Sequence, residues 1–249
     1  MMDRTTWLDT NVVAWIHDHA IAFQLDVDAH GAAAKKLSVR AMPTVMVFRD
    51  GDEIDRVVGF QEPDEMLAWL SGLARGVTSL DTKRAEIAVA PGDAQLHLEY
   101  ARMLFDAGRP DDAMREYVWL WRHAREHAFV FAPDLWRMIG AHPPARAVIA
   151  ELRDELAPAA APSLEDLRDW LLLNDILGEA RRSLAWFDDC YTALPNKHEV
   201  GDLVGKTIGP LLIGALRWRD VRAMYGKQLW RMPVRELVMT WRAARQRLR

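Results

Sequence analysis

The chain holds a single cysteine, Cys190, so its thiol chemistry is that of one sulfur acting alone. Dithiol–disulfide exchange needs two sulfurs: a thiolate to attack and a second thiol to resolve the mixed disulfide. Cys190 stands among Trp186, Phe187 and Tyr191 on a helical pattern and reads as a small buried thiol filling space between aromatic rings. His123-Ala124-Arg125-Glu126-His127 follows the H-x-x-E-H spacing, and two imidazoles at i and i+4 share a helix face, as a metal requires. The stretch continues a helix next to Trp119 and Trp121, and a five-residue pattern recurs by chance, so it reads as a partly exposed helix end. The pairs Asp26/Asp28 and Asp188-Asp189 suit acid–base work, but a strand-ending turn and a helix surface account for them without a catalytic partner. No phosphate-binding glycine loop, nucleophile elbow or zinc-ribbon spacing is present. The residues therefore nominate no catalytic group, no metal ligand and no cofactor.

A second concentration of chemistry lies in the tail. From Arg217 onward ten basic residues face only Asp220 and Glu236, so the last 33 residues carry about +8 and the remainder about −12, within a net charge of −4. Arginines interleaved with Trp218, Trp230 and Trp241 could meet phosphates and stacked bases, or a membrane surface. An amphipathic helix with tryptophans inward and arginines solvated explains the same pattern and is preferred over nucleic-acid binding. No apolar run approaches the ~18 residues needed to span a bilayer. The start lacks a secretory pattern and there is no cysteine pair, so the expected compartment is the cytoplasm.

The elements that position these residues fall into two kinds. Residues 6–19 space Trp7, Val12, Trp15 and Ile16 as a helix, with Asp9 and Asn11 as candidate caps. Residues 21–25 are short, aromatic and branched, and predict a strand. A helix over 32–37, a fully buried strand over 44–48 and a second strand over 53–58 follow, with Asp50-Gly51 as the hairpin turn between the strands. Pro63 opens a helix carrying Met66, Leu67, Trp69 and Leu70. From about residue 80 strand signals vanish and helical ones dominate. Asp93 starts one helix, Gly108-Arg109-Pro110 turns it, and a partner helix carries Ala113, Tyr117 and Leu120. The Ala/Pro stretch over 157–162 reads as a linker.

Residues 25–73 resemble the second half of a thioredoxin. The resemblance rests on Leu25-Asp26-Val27-Asp28, Val39-Arg40-Ala41-Met42-Pro43-Thr44, the apolar run Val45-Met46-Val47-Phe48, Asp50-Gly51 and Arg56-Val57-Val58-Gly59. In that family the corresponding proline is cis and helps bind the extended backbone of a substrate protein. The resemblance thus implies a peptide-binding groove lined by Met42, Pro43 and Thr44. It also implies a central strand ending in Cys-x-x-Cys between the 21–25 and 44–48 strands, and this chain has neither. Two unpaired edges would remain in the sheet, and orphaned backbone groups are costly when buried. Three arrangements stay open: a start placed downstream of the cysteine pair, a sheet that rearranges or borrows a strand from another chain, or a domain kept only as a scaffold. Borrowing would make a homo-oligomer.

The later region resembles tetratricopeptide repeats. Tyr100, Ala101, Leu104, Gly108, Ala113 and Tyr117 fall at the small and large positions that let two helices pack closely. Trp170, Leu171, Gly178, Ser183 and Phe187 form a looser copy, and a third pair around 211–225 is weaker. The expected architecture is α/β followed by all-α: an incomplete thioredoxin-like domain over 1–78, then a helical, repeat-like domain over 79–249. The expected function is protein–protein interaction without redox catalysis, in the setting of cell redox homeostasis. The alternative is a truncated thiol–disulfide oxidoreductase.

Overall fold

The computed structural model describes residues 2–39, 41–156, 162–195, 197–226, 228 and 232–248. The linker expected over 157–162, apart from its last residue, and Trp230 of the tail lie outside the described residues. The chain divides into two compact units, Met1–His123 and Ala124–Arg249. The boundary expected between residues 78 and 79 falls inside the first unit.

The first unit opens on two 3-10 turns, Met2–Arg4 and Thr6–Leu8, and continues into α1 (Thr10–His19). Asp9 caps α1: its carboxylate accepts from the N–H groups of Asn11 (2.9 Å) and Val12 (3.1 Å), which have no partner inside the helix. The strand expected over 21–25 does not form; the segment is irregular and outside the sheet. A β-rich sequence becomes a strand only where a neighbour takes its hydrogen bonds, and here Ile21 and Phe23 stand 84% and 91% exposed. After α2 (Gly31–Lys36), β1 (Thr44–Arg49) and β2 (Asp52–Val58) form an antiparallel hairpin with Thr44 opposite Val58 and Met46 opposite Arg56. Asp50 and Gly51 both take positive φ, 56° and 93°, as a tight two-residue turn demands. A register shift falls between Val47 and Phe48. β1 is only half-buried, contrary to its expected full burial, because β2 flanks one of its edges and, among the described residues, no strand flanks the other.

Pro63 occupies the first turn of α3 (Pro63–Ala74), where its missing N–H costs nothing, and Glu62 and Glu65 cap that end reciprocally. Val12 of α1, Met66 and Leu70 of α3, and Met2 form the buried core here, with Trp15, Val45, Val47 and Val57 packed against it. Asp55 of β2 joins the layers. Its Oδ2 accepts from Trp69 Nε1 (2.8 Å) on α3, and from both the N–H and the hydroxyl of Ser79 (2.7 Å each) at the start of α4 (Ser79–Val89). α5 (Ala94–Asp106) and α6 (Pro110–His123) then pack on one another across a turn at Gly108, with Tyr100, Ala101, Leu104, Ala113 and Tyr117 all buried between them. The Arg84 guanidinium of α4 donates to Tyr100 Oη (3.1 Å), and Lys83 bridges Glu86 (2.7 Å) and Glu99 (2.9 Å).

All the regular structure in the second unit's described residues is helical. A 3-10 turn (Arg125–His127) leads to α7 (Ala128–Ala141), α8 (Ala145–Glu155), α9 (Leu164–Ile176) and α10 (Ala180–Asp189). After a 3-10 turn (Tyr191–Ala193) come α11 (Lys197–Thr207), α12 (Gly209–Gly214), α13 (Trp218–Tyr225) and α14 (Val234–Arg247). α9 and α10 are the second expected helix pair, turned at Gly178, with Trp170, Leu171, Trp186 and Phe187 in a core shared with Val200, Val204, Ile208 and Leu212. Glycine is required where α14 crosses α12, since a Cβ on Gly214 would stand 2.7 Å from the Cβ of Ala244.

Candidate functional site

The nominated groove residues sit in the loop that enters β1. The Met42–Pro43 peptide is cis. The turn is held locally by the Thr44 hydroxyl, which donates to the carbonyl of Ala41 (2.6 Å), and by the N–H of Gly59, which donates to the carbonyl of Pro43 (2.8 Å). A second brace comes from Arg56. Glu53 grips its guanidinium (2.5 and 2.6 Å) while that group donates to the carbonyls of Leu37 (3.2 Å) and Ser38 (3.5 Å), fastening the end of α2 to β2. Sequence reasoning passed over this pair, whose only signal was opposite charge three residues apart on a strand.

The frame leaves Met42 presented to solvent, 67% exposed, beside an exposed Ala41 and Pro43, with Thr44 half-buried. Neither the N–H nor the carbonyl of Met42 has a hydrogen-bond partner among the described residues. β1 likewise carries one edge with no strand paired to it among the described residues. Residues 21–25 also make no hydrogen bond among the described residues, and Leu25 joins Ile21 and Phe23 in exposure. Among the described residues, the first unit therefore combines backbone donors and acceptors that have no partner with exposed apolar side chains.

The remaining nominated groups have structural occupations. Cys190 follows α10 in the second unit and is half-buried, less enclosed than its aromatic surroundings implied. Phe187 and Tyr191 stack beside it with ring centres 5.0 Å apart, and burial pushes the Tyr191 hydroxyl up from its ordinary range. His123 and His127 do not share a helix face: α6 stops at His123, whose Nδ1 lies 2.9 Å from the Trp119 carbonyl, and a 3-10 turn carries the rest. Among the described residues no three His, Cys, Asp or Glu side chains group as a metal site. Asp26 holds its own turn through the N–H groups of Asp28 (2.9 Å) and Ala29 (3.3 Å), and Asp188 pairs with Arg217 (2.6 Å). No helix among the described residues is long and apolar enough to cross a membrane.

Comparison with known proteins coincides with the region that holds this loop. Residues 1–74 match the family described as a thioredoxin-like domain. Thioredoxin of Staphylococcus saprophyticus is 51% identical over 45 residues, covering 18% of this chain and 42% of that protein. Thioredoxin of Staphylococcus aureus strain Mu50 has the same identity and coverage. The mitochondrial thioredoxin of Bos taurus is 36% identical over 62 residues, 25% of this chain and 37% of that protein. The chain thus spans about two fifths of the length of the curated relatives it matches. No solved structure matches it. The amino-terminal region is thioredoxin-like, a largely helical region follows, and one cysteine precludes a Cys-x-x-Cys motif in this sequence.

Proposed function

We propose that this chain is a non-catalytic interaction protein that receives an extended peptide or protein segment at Met42, Pro43 and Thr44, with its helices adding partner-binding surface. The observation that carries the reading is the free backbone of Met42, exposed on a braced loop beside the open edge of β1. A peptide laid along that edge gains main-chain hydrogen bonds, and the exposed Met42 side chain supplies adaptable apolar contact. The sole thiol lies in the other unit, so the loop has no sulfur of its own with which to attack a disulfide. The helix pairs α5–α6 and α9–α10 resemble tetratricopeptide units in their small and large positions, which supports partner binding as their role.

The test has two arms. Insulin reduction by the full chain with dithiothreitol should not exceed the dithiothreitol background, and turnover above it would overturn the non-catalytic reading. Extended peptides from a tiled array should bind the chain and lose at least ~5-fold in affinity with Met42→Asp. Unchanged capture by that variant would remove the loop from the function.

A second reading is favoured by residues 21–25, mostly apolar and unpaired among the described residues, together with β1, which has a strand on only one of its two edges there. In it, a strand ending in Cys-x-x-Cys belongs between them, and the protein that carries it is a thiol–disulfide oxidoreductase. In-frame upstream codons for such a strand, and insulin reduction by the extended chain, would replace the first reading. If instead the open edges pair between copies, sedimentation will show a dimer that Phe23→Lys dissociates.

A further inference from the structure

The arginines of the second unit divide sharply. Every described arginine from Arg125 to Arg217 meets an oxygen acceptor: Arg125 and Arg168 reach Asp169 (2.9 and 2.7 Å), Arg153 reaches Asp154 (2.9 Å), and Arg217 is gripped by Asp188 and Asp220 (2.6 Å each). Arg219 and Arg222 on α13 and Arg235 and Arg242 on α14 are exposed and meet no oxygen among the described residues. Arg247 at the end of α14 returns to the rule through Asp175, and Arg245 lies over the ring of Trp241 (5.1 Å). A surface arginine commonly finds a carboxylate, and four along α13 and α14 that do not leave an excess of positive charge on those helices.

α14 has two distinct faces. Leu237, Trp241 and Ala244 turn inward against the helical core, the last of them at the crossing with Gly214. Arg235, Val238, Met239 and Arg242 follow at i, i+3, i+4 and i+7 and make one solvent-facing stripe about 10 Å long. Val238 and Met239 are 42% and 61% exposed, and Val234 one turn earlier is 77% exposed. Two unpaired cations thus bracket an apolar centre.

We infer that this stripe of α14 docks an acidic amphipathic helix of a partner protein, whose apolar residues cover Val238 and Met239 while flanking carboxylates meet Arg235 and Arg242. Charge complementarity names the acidic partner, and the apolar centre narrows it. Phosphate or nucleic acid has no use for exposed valine and methionine, and this stripe offers no exposed aromatic ring for a base. An extended anionic bilayer would repel the rest of the chain, which carries about −12, whereas a single acidic helix meets only the stripe. The site is separate from the Met42 loop and stands independently of the reading given to that loop.

The experiment uses the full chain and three probes: a short labelled peptide with leucines at helical spacing flanked by glutamates, its Glu→Gln counterpart, and competing ligands. The glutamate peptide should bind at low salt at least ~10-fold more tightly than the glutamine peptide. The double variant Arg235→Gln/Arg242→Gln should cost at least ~10-fold, and Val238→Ser/Met239→Ser at least ~5-fold, with the thermal melt of both unchanged because all four side chains are exposed. Equal affinity for the two peptides, absence of saturable binding, or loss with the arginine variant alone would overturn the proposal. So would thymidine oligonucleotides or phosphatidylserine-containing vesicles that depend on these residues where the peptide does not.

Discussion

Asn174 is wholly buried on α9, and neither oxygen nor nitrogen of its amide has a hydrogen-bond partner among the described residues. Leaving such a group unsatisfied costs about 1–3 kcal/mol, whereas a leucine of similar volume leaves nothing unpaired. Asn174→Leu should therefore raise the stability of the second unit by about 1 kcal/mol, read as a higher urea midpoint at unchanged slope. A loss of that size would mean that the amide is needed for a partner. Asp169, on the same helix and equally buried, is only partly compensated: Arg168 reaches one carboxylate oxygen, while Oδ2 has no hydrogen-bond partner among the described residues. Burial pushes its carboxyl above the ordinary range, while Arg168 and Arg125 pull the other way. The two guanidiniums offset part of the cost of burying this carboxyl, an offset that the Asn174 amide lacks.

Asp55 is the point at which β2, α3 and α4 become one assembly, since a single carboxylate oxygen takes three donors. Asp55→Ala would strand the Trp69 indole N–H and release the first turn of α4, at an expected cost of about 2–3 kcal/mol. Thermal melts followed by tryptophan emission would check it, and a loss under ~0.5 kcal/mol would show that α4 is held by other contacts. α4 and α5 are also tied by charge. Gln95 first, and then Lys83, hold the Glu99 carboxyl below its usual 4.5. A depressed folded-state value means the contribution is present above the unfolded pKa and is lost as pH falls through the folded one. The stability gap between the chain and Glu99→Gln should accordingly be constant above about pH 5 and close progressively below 4.5. Glu99 is 41% exposed, so solvent screening limits the gap to no more than ~1 kcal/mol. A gap that widens in acid would reverse the assignment.

The division into two units carries its own consequence. The second unit owns a continuous apolar core in which Leu167, Val200, Val204, Ile208 and Leu212 are fully enclosed. A fragment over 124–249 should therefore be helical by circular dichroism and melt cooperatively without the first unit. A broad, non-cooperative melt would show that its core is incomplete alone. The first unit has a weaker foundation, because a two-strand hairpin is marginal in water and depends on α1 and α3 to cover it. Its exposed Ile21 and Phe23 are also the residues most apt to draw a neighbouring chain.

Much of this protein was readable from short stretches of residues. The Asp50-Gly51 turn, the caps at Asp9 and Asp93, the entry of α3 at Pro63 and the reversals at Gly108 and Gly178 all formed where the chain predicts them. These are contests between backbone torsions and hydrogen bonds a few residues apart, so the local residues settle them. The loop at Met42, Pro43 and Thr44 was singled out by a different route, the resemblance of residues 25–73 to a known family, and not by its local residues alone. Residues 21–25 have every intrinsic preference of a strand and are not one, since a strand needs a partner supplied by distant chain. The half-burial of β1, the three donors on Asp55, the Arg56–Glu53 brace and the unpaired arginines of α13 and α14 belong to that same class. Each depends on which groups meet across space to satisfy a hydrogen bond or a charge, and no short run of residues encodes that.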